Sequence, residues 1–134
     1  MGLGEAMIVA GLGCRKAILA AQVESAIEAA LRHNQIEGHR LDVIAVPAVK
    51  GMEAGIVAAA AARGVLLVLI TQDALEEADL RTLTRSARSM DTLNVQSVAE
   101  AAALAAAGPN SRLLAPRLAI GPVTCALAEG EVLR

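Results

Sequence analysis

Three short polar segments carry most of the side chains with which this 134-residue chain could perform chemistry. In the first, Gly11-Leu12-Gly13-Cys14-Arg15-Lys16, the glycines let the backbone approach a ligand, and the loop amides can face an anion. Arg15 and Lys16 add positive charge. Lys16 stands where a dinucleotide-binding fingerprint needs its third glycine, so the segment is not that motif. We interpret it as an anion-binding loop, with a tight turn carrying solvated basic residues as the alternative.

The second polar segment, residues 47–53, follows a predicted strand and leads into a predicted helix. Lys50 stands near the start of that helix, where the helix dipole and the ammonium group jointly favour an anion, and the amide of Gly51 can help. Glu53 is a candidate general base or a partner for a cation. The alternative for Glu53 is a favourable first-turn charge with no further role.

The third polar segment, residues 82–92, supplies hydroxyl groups and lies close to several arginines, so it could form a ligand wall or lid. An ordinary solvated loop is the alternative. The hydroxyl-bearing and basic side chains concerned are Thr82, Thr84, Ser86, Ser89, Arg81, Arg85 and Arg88.

Single titratable residues add weaker candidates. Glu100 lies three residues after Ser97, which predicts a capping box, although Glu100 is also a candidate general base. Cys14 could act as a nucleophile if a helix N-terminus lowered its pKa, but no histidine is evidently paired with it. His33 and His39 lack partners at metal-ligand spacing, so we expect no metal site and no cofactor.

The elements that must position these residues alternate between strands and helices, which predicts an α/β fold. We expect one domain over residues 1–134: a three-layer sandwich with a largely parallel sheet and helices on both faces. The apolar run 65–70 predicts a central strand covered on both sides. The last two strands could pair as a hairpin and make the sheet mixed. Predicted strands are 6–11, 41–46, 65–70, 112–115, 117–120 and 122–127; predicted helices are 22–33, 51–63, 72–80 and 97–107.

Composition excludes several classes of function. The chain is 55% hydrophobic and contains no Phe, Trp or Tyr, so it cannot stack nucleic-acid bases on aromatic rings. The net charge of -2 gives no overall positive potential that would attract a polyanion such as a nucleic acid. No apolar run is long enough to span a membrane, and the first residues lack a basic signal region, so we expect a cytoplasmic protein with two reduced cysteines.

Four motifs together resemble the cobalamin-biosynthesis CobE family, which is also the C-terminal domain of CbiG. They are GLGCRK near the start, AVPAVKGMEAG after the second strand, SVAEAAALAAAG, and PVTCALAEG near the end. The similarity runs from about Ile8 to Glu129, and the single domain is more similar to CobE than to full CbiG. The motif residues carried over are Gly11, Gly13, Cys14, Arg15, Lys50, Glu53, Ser86 and Glu100.

The resemblance implies a three-layer α/β fold and a role in making the corrin ring of vitamin B12. CbiG opens the lactone of a cobalt-precorrin intermediate, whereas CobE acts in the oxygen-dependent route. This chain departs from relatives at Ala20, where they often have Ser, at Asn94, where they have Gly, and at Arg117, where they have Lys.

We therefore expect a protein of the aerobic pathway that binds or carries a precorrin, with Arg15, Lys50 and Arg117 holding peripheral carboxylates. One alternative is a precorrin lactone hydrolase with Glu53 or Glu100 as general base. The other is a non-catalytic partner of pathway methyltransferases.

Overall fold

One mixed sheet forms the centre of the molecule in the computed structural model, which describes residues 6–14, 18–50, 53–83 and 97–131. Its strand order is β3-β2-β1-β6-β4, and β5 also pairs with β6. The strands are β1 (Met7–Cys14), β2 (Leu41–Pro47), β3 (Leu66–Ile70), β4 (Arg112–Leu113), β5 (Leu118–Ile120) and β6 (Val123–Gly130).

Strand directions make the sheet mixed. The strands β1, β2 and β3 run parallel to each other, whereas β6 runs antiparallel to β1 from Met7↔Gly130 to Cys14↔Val123. The predicted C-terminal hairpin is present, because β5 and β6 pair through a turn at Gly121, whose φ of 60 suits glycine. The α/β class and the mixed sheet are therefore confirmed.

Helices cover both faces of the sheet. The four helices within the described residues are α1 (Ala20–His33), α2 (Ala54–Arg63), α3 (Gln72–Asp79) and α4 (Val98–Ala107). Side chains of β1 alternate between the two faces: Ile8, Ala10 and Leu12 join the apolar cluster under α1 and α2. Val9 joins the cluster under α3 and α4. These two clusters are the cores of the predicted three-layer sandwich.

Helix boundaries follow from their capping residues. The helix α1 begins at Ala20 rather than the predicted residue 22, and its cap residue Leu19 donates its N–H to the side chain of Gln22 at 2.9 Å. The Thr71 hydroxyl caps the start of α3 by accepting a hydrogen bond from the backbone N–H of Ala74 at 3.1 Å. The helix α2 begins at Ala54, three residues later than predicted, after a short 3₁₀ turn over Ala48–Lys50.

The predicted end of the first strand at Gly11 was wrong, because β1 continues to Cys14. The segment Gly11–Cys14 pairs residue by residue with Val123–Ala126 of β6, so three residues predicted as loop are strand. Backbone pairing with a strand more than a hundred positions away overrides the local preference of the two glycines for a turn.

The predicted central position of the third strand was also wrong, because β3 lies at the edge of the sheet. Leu66 and Leu69 point to opposite faces and are 64% and 49% exposed. Apolar side chains on both faces of a strand indicate helices above and below it, but they do not reveal whether both of its edges are paired.

Each described helix starts at the same edge of the sheet. The helices α1, α2 and α3 follow the carboxyl ends of β1, β2 and β3, and α4 runs antiparallel to β1. The positive ends of four helix dipoles therefore lie on one side of the molecule. We call this side the strand-end edge, defined by Cys14, Pro47, Ile70 and the N-terminus of α4.

Candidate functional site

Three of the predicted site residues come together at the strand-end edge. Cys14 ends β1 and is half-buried, on the sheet face covered by α1 and α2. Lys50 ends the 3₁₀ turn after β2, and the N–H of Glu53 bonds to the Lys50 carbonyl at 3.1 Å. The structure thus places a thiol, an ammonium group and a carboxylate at the ends of two neighbouring strands.

The pKa of the Cys14 thiol shows how these groups act on one another. Burial raises this pKa, the nearby Lys50 ammonium lowers it, and the Glu53 carboxylate raises it. The net direction is upward, so the thiol stays protonated at neutral pH. A raised pKa does not favour nucleophilic catalysis by Cys14, although it leaves the side chain able to contact a ligand.

The two glycines of β1 have different surroundings. A Cβ at Gly11 would overlap the carbonyl of Ala99 and lie 2.5 Å from the amide nitrogen of Ala103, so close packing of α4 requires glycine there. A Cβ at Gly13 would meet ordinary contacts, 3.6 Å from the Ala99 nitrogen. Gly13 is therefore the glycine that lies at the N-terminus of α4.

Glu100 is completely buried in the first turn of α4. One carboxylate oxygen accepts from the backbone N–H of Leu83 at 2.7 Å, and the other accepts from that of Arg117 at 2.8 Å. The Ser97 hydroxyl caps α4 by accepting from the Glu100 N–H at 3.4 Å, which is the serine half of the predicted capping box. Because its oxygens hold two loops, Glu100 is better placed to fix the shape of the strand-end edge than to act as a general base.

Thr124 is a candidate residue that sequence reasoning missed. It pairs with Gly13 across β1 and β6, so both residues point to the face covered by α4. Thr124 is partly exposed and brings a hydroxyl to the strand-end edge. Thr124 lies within the PVTCALAEG motif, but only the long-range register of β6 places its hydroxyl at this edge.

Several predicted ligand contacts lie outside the described residues: Arg15, Gly51, Thr84 and Ser86. Arg81, from the same basic group, is described and has a structural role. It donates to the Ser111 carbonyl at 3.0 Å and to that of Gly108 at 3.4 Å, beyond the C-terminus of α4.

A cleft of about 690 Å³ opens at the opposite edge of the sheet. None of the predicted site residues lines it. Its wall includes Arg112 and Glu129, which form a salt bridge at 3.0 Å across β4 and β6. Paired charges of this kind provide no surplus of positive charge for an anionic ligand, so the strand-end edge remains the better candidate.

Comparison with protein families supports the resemblance noted above. The model described as "Cobalamin synthesis G C-terminus" matches residues 8–128, which is nearly the whole described fold. The chain belongs to the CbiG C-terminal family. This membership makes it a protein of cobalamin biosynthesis.

Solved structures agree with the family in fold and in sequence. CobE, a protein from the cobalamin (vitamin B12) biosynthetic pathway, is 28% identical with a TM-score of 0.88, over 96% of this chain and 94% of that one. The cobalamin biosynthesis protein ChiG from Agrobacterium tumefaciens is 40% identical with a TM-score of 0.75, over 94% and 100% of the two chains.

A more distant structure shares the fold within a longer chain. A cobalamin biosynthesis protein G homolog from Sulfolobus solfataricus is 23% identical with a TM-score of 0.68, and the match covers 96% of this chain but only 38% of that one. Comparison with curated proteins gives no significant match. Among the described helices, none is long and apolar enough to cross a membrane.

Proposed function

We propose that the strand-end edge binds a precorrin or corrinoid intermediate through the carboxylates at the rim of its macrocycle. The observation that carries the proposal is the grouping of Lys50 and four helix N-termini at one edge of a domain from a cobalamin-biosynthesis family. Arg117 is a further candidate cation, because its backbone N–H bonds to Glu100 in the first turn of α4. Acetate and propionate groups are anions that cations and helix N-termini attract.

The apolar part of such a ligand must be held without aromatic stacking, because the chain has no Phe, Trp or Tyr. Aliphatic side chains at the same edge are exposed and available: Val49 is 73% exposed beside Lys50, and Leu19 is 66% exposed before α1. Burying this surface adds affinity in proportion to its area. Because charged rim contacts and aliphatic contacts act together, we expect a moderate affinity for the corrinoid. This affinity should decrease as salt is added, because salt screens the charges.

Calorimetric titration with hydrogenobyrinic acid tests the proposal. We expect saturable binding that weakens roughly 3- to 10-fold in Lys50→Gln and in Arg117→Gln, the loss of one partly exposed charged contact. The matched control is Arg32→Gln, which removes the same charge from the exposed C-terminal turn of α1. A corrinoid with every carboxylate esterified is the control ligand.

Two results would refute this proposal. One is absence of saturable binding by the wild-type chain, and the other is binding that Lys50→Gln, Arg117→Gln and Arg32→Gln all leave unchanged. The chain tolerates all three changes sterically, since these side chains are partly or fully exposed.

A lactone hydrolase is a second candidate, favoured by the half-buried Glu53 carboxylate beside Lys50. Glu53 would take a proton from water as the water attacks the lactone carbonyl, and Lys50 would stabilise the developing oxyanion. The ring C–O bond would then break, and Glu53 would return the proton to the leaving alkoxide oxygen. The ring-opened product gains one water, which mass spectrometry detects. Product formation that is lost in Glu53→Gln and retained in the exposed control Glu37→Gln would support hydrolysis; no product above the blank would exclude it.

A non-catalytic partner module is the remaining candidate. Copurification of the chain with pathway methyltransferases, together with no corrinoid binding in the calorimetric titration, would support this function over the other two.

A further inference from the structure

We infer that the free edge of β3 pairs antiparallel with the same strand of a second copy of this chain, forming a symmetric dimer. The edge strand carries five consecutive large aliphatic residues, Leu66–Ile70, and its outer side pairs with no strand of the described residues. The inference is independent of the proposed ligand, because β3 reaches the strand-end edge only at its last residue.

Within residues 66–70, the edge strand β3 lacks the usual sequence features that protect against pairing. Native edge strands are commonly shielded by a charged residue, a proline or a bulge. Here the strand has none of these: it reads Leu-Leu-Val-Leu-Ile and pairs with β2 in unbroken register. No described strand pairs with the outer backbone groups of β3, and these groups are arranged to bond to an added β-strand, so an occupant that presents a strand fits this edge.

Apolar side chains flank this edge on both faces of the sheet. Leu66 is 64% exposed on the α3 and α4 face, and Leu69 is 49% exposed on the α1 and α2 face. The exposed side of α2 continues the aliphatic surface, with Val57 45% exposed and the rest alanine: Ala54, Ala58, Ala61 and Ala62. An interface here would remove apolar surface from water on both sides of the new strand pair.

Charge selects a second copy over a charged partner. Between Ala54 and Gln72 the only charged residue is Arg63. Its guanidinium is turned inward, 12% exposed, and bonds to Glu24 at 2.7 Å and to Glu28. The uncharged surface is the one formed by β3 and α2, because α3 on the other face exposes Asp73, Glu76 and Glu77. In a two-fold interface each residue meets its own kind or a symmetric neighbour, so the uncharged surface of β3 and α2 is complementary to itself. The same surface offers nothing to a basic or acidic partner.

The other side of the sheet is a poor alternative for pairing with β3. Its outermost strand β4 is only two residues long, Arg112–Leu113, and the exposed Arg112 is bonded to Glu129 at 3.0 Å. Head-to-tail pairing of β3 with β4 would therefore form few backbone bonds, and it would not close as a dimer. Antiparallel pairing of β3 with itself uses all five residues and closes as a dimer.

The size of the surface sets the expected strength. A five-residue strand is about 17 Å long, and the strand and α2 layers together are about 20 Å thick, which gives a footprint of roughly 350 Å² per copy. Stable interfaces bury about 800 Å² per partner. We therefore expect a concentration-dependent dimer with a micromolar Kd rather than a permanent one.

Sedimentation equilibrium of the full chain between about 5 and 500 µM tests the inference, with interference detection because the chain has no Trp or Tyr. The wild type should rise from 13.7 kDa toward twice that mass. Leu66→Lys and Leu69→Lys should each weaken association at least tenfold. Leu80→Lys, at an 83% exposed position after α3, adds the same charge outside the surface and should leave it unchanged.

Three outcomes would overturn the inference: a wild type that stays monomeric at every concentration, a dimer that survives both β3 variants, or association lost equally in Leu80→Lys. Hydrogen exchange of the wild type gives a second measurement that needs no variant. The amides of residues 66–70 should exchange more slowly in concentrated than in dilute samples, and concentration-dependent protection confined to other segments would contradict pairing through β3.

Discussion

Glu100 shows how one buried carboxylate can organise the strand-end edge. It accepts from Leu83 and Arg117, which lie 17 residues before and 17 residues after it, so a single side chain joins two loops to α4. Its spacing from Ser97 predicts a capping box, and the structure shows the serine half of it, in which the Ser97 hydroxyl accepts from the Glu100 N–H. The bonds to the loops could not be predicted, because no local pattern records partners so far along the chain.

Removing this carboxylate should destabilise the fold. Glu100→Ala removes two part-buried hydrogen bonds from the N–H groups of Leu83 and Arg117. A hydrogen bond to a charged group contributes about 1.5–3 kcal/mol, so we expect a loss of about 2–5 kcal/mol. Urea denaturation followed by circular dichroism measures it. Glu100→Gln keeps one acceptor oxygen and should lose less. A loss below about 1 kcal/mol for Glu100→Ala would show that the two bonds do not stabilise the native state.

The thiol of Cys14 can report on the cluster at the ends of β1 and β2. Because Lys50 lowers its pKa and Glu53 raises it, Lys50→Gln should raise the pKa further and Glu53→Gln should lower it. Alkylation rates of the Cys14 peptide as a function of pH, followed by mass spectrometry, give both pKa values. Shifts in the same direction, or no shift in either variant, would mean that the three side chains are not close.

Cys125 should make stability fall at alkaline pH. Burial raises its pKa from 9.0 to about 12, so the folded chain keeps a proton that the unfolded chain loses. The contribution is complete below pH 9 and decreases as pH rises toward 12, by about 2 kcal/mol at pH 10.5. Denaturation of Cys125→Ala should show a shallower alkaline decline than the wild type. Equal declines would place the thiol in a more polar environment.

Elements of secondary structure were largely predictable, whereas their places in the sheet were not. Helical periodicity and the capping residues located α1, α3 and α4 to within two residues. The extension of β1 to Cys14 and the edge position of β3 depend on pairing with β6 and on the absence of a further partner strand among the described residues. Both are long-range properties, which local composition does not encode.

The close approach of α4 to β1 predicts a sharp difference between two neighbouring glycines. Gly11→Ala drives a methyl group into the backbone of Ala99 and Ala103, which should cost about 3 kcal/mol or more. Gly13→Ala meets only ordinary contacts and is the matched control, with an expected change within about 1 kcal/mol. Thermal unfolding followed by circular dichroism compares them. Equal stability of the two variants would argue against this packing.

At the scale of the whole molecule, the strand-end edge and the opposite edge of the sheet carry different chemical groups. The strand-end edge collects helix N-termini, Lys50 and Thr124, while the opposite edge carries the turns after α1 and the Arg112–Glu129 pair. The alternation of strands and helices predicts that the N-termini of α1, α2 and α3 lie at the same edge, because helices that follow parallel strands start there. The orientation of α4 against β1 is visible only in the structure.

Ligand binding at that edge should stabilise the entire fold. At a free ligand concentration of 100 times Kd, binding to the native state alone adds about 2.7 kcal/mol, which corresponds to roughly 10 °C in Tm for a domain of this size. Differential scanning calorimetry with and without hydrogenobyrinic acid measures the shift. The Lys50→Gln variant should show a smaller shift at the same ligand concentration, and an unchanged Tm for the wild type would indicate no binding to the folded chain.

The pairing of Met7 with Gly130 makes the two ends of the described sheet neighbours at the edge opposite the candidate site. Paired strands lie about 5 Å apart, so a short linker could join these ends, and the chain could be reopened at the turn over residues 34–37 on the same side. A circular permutant of this kind would keep the six strands and four helices described above. The same geometry lets the whole unit be grafted into a loop of a host protein while the strand-end edge faces outward.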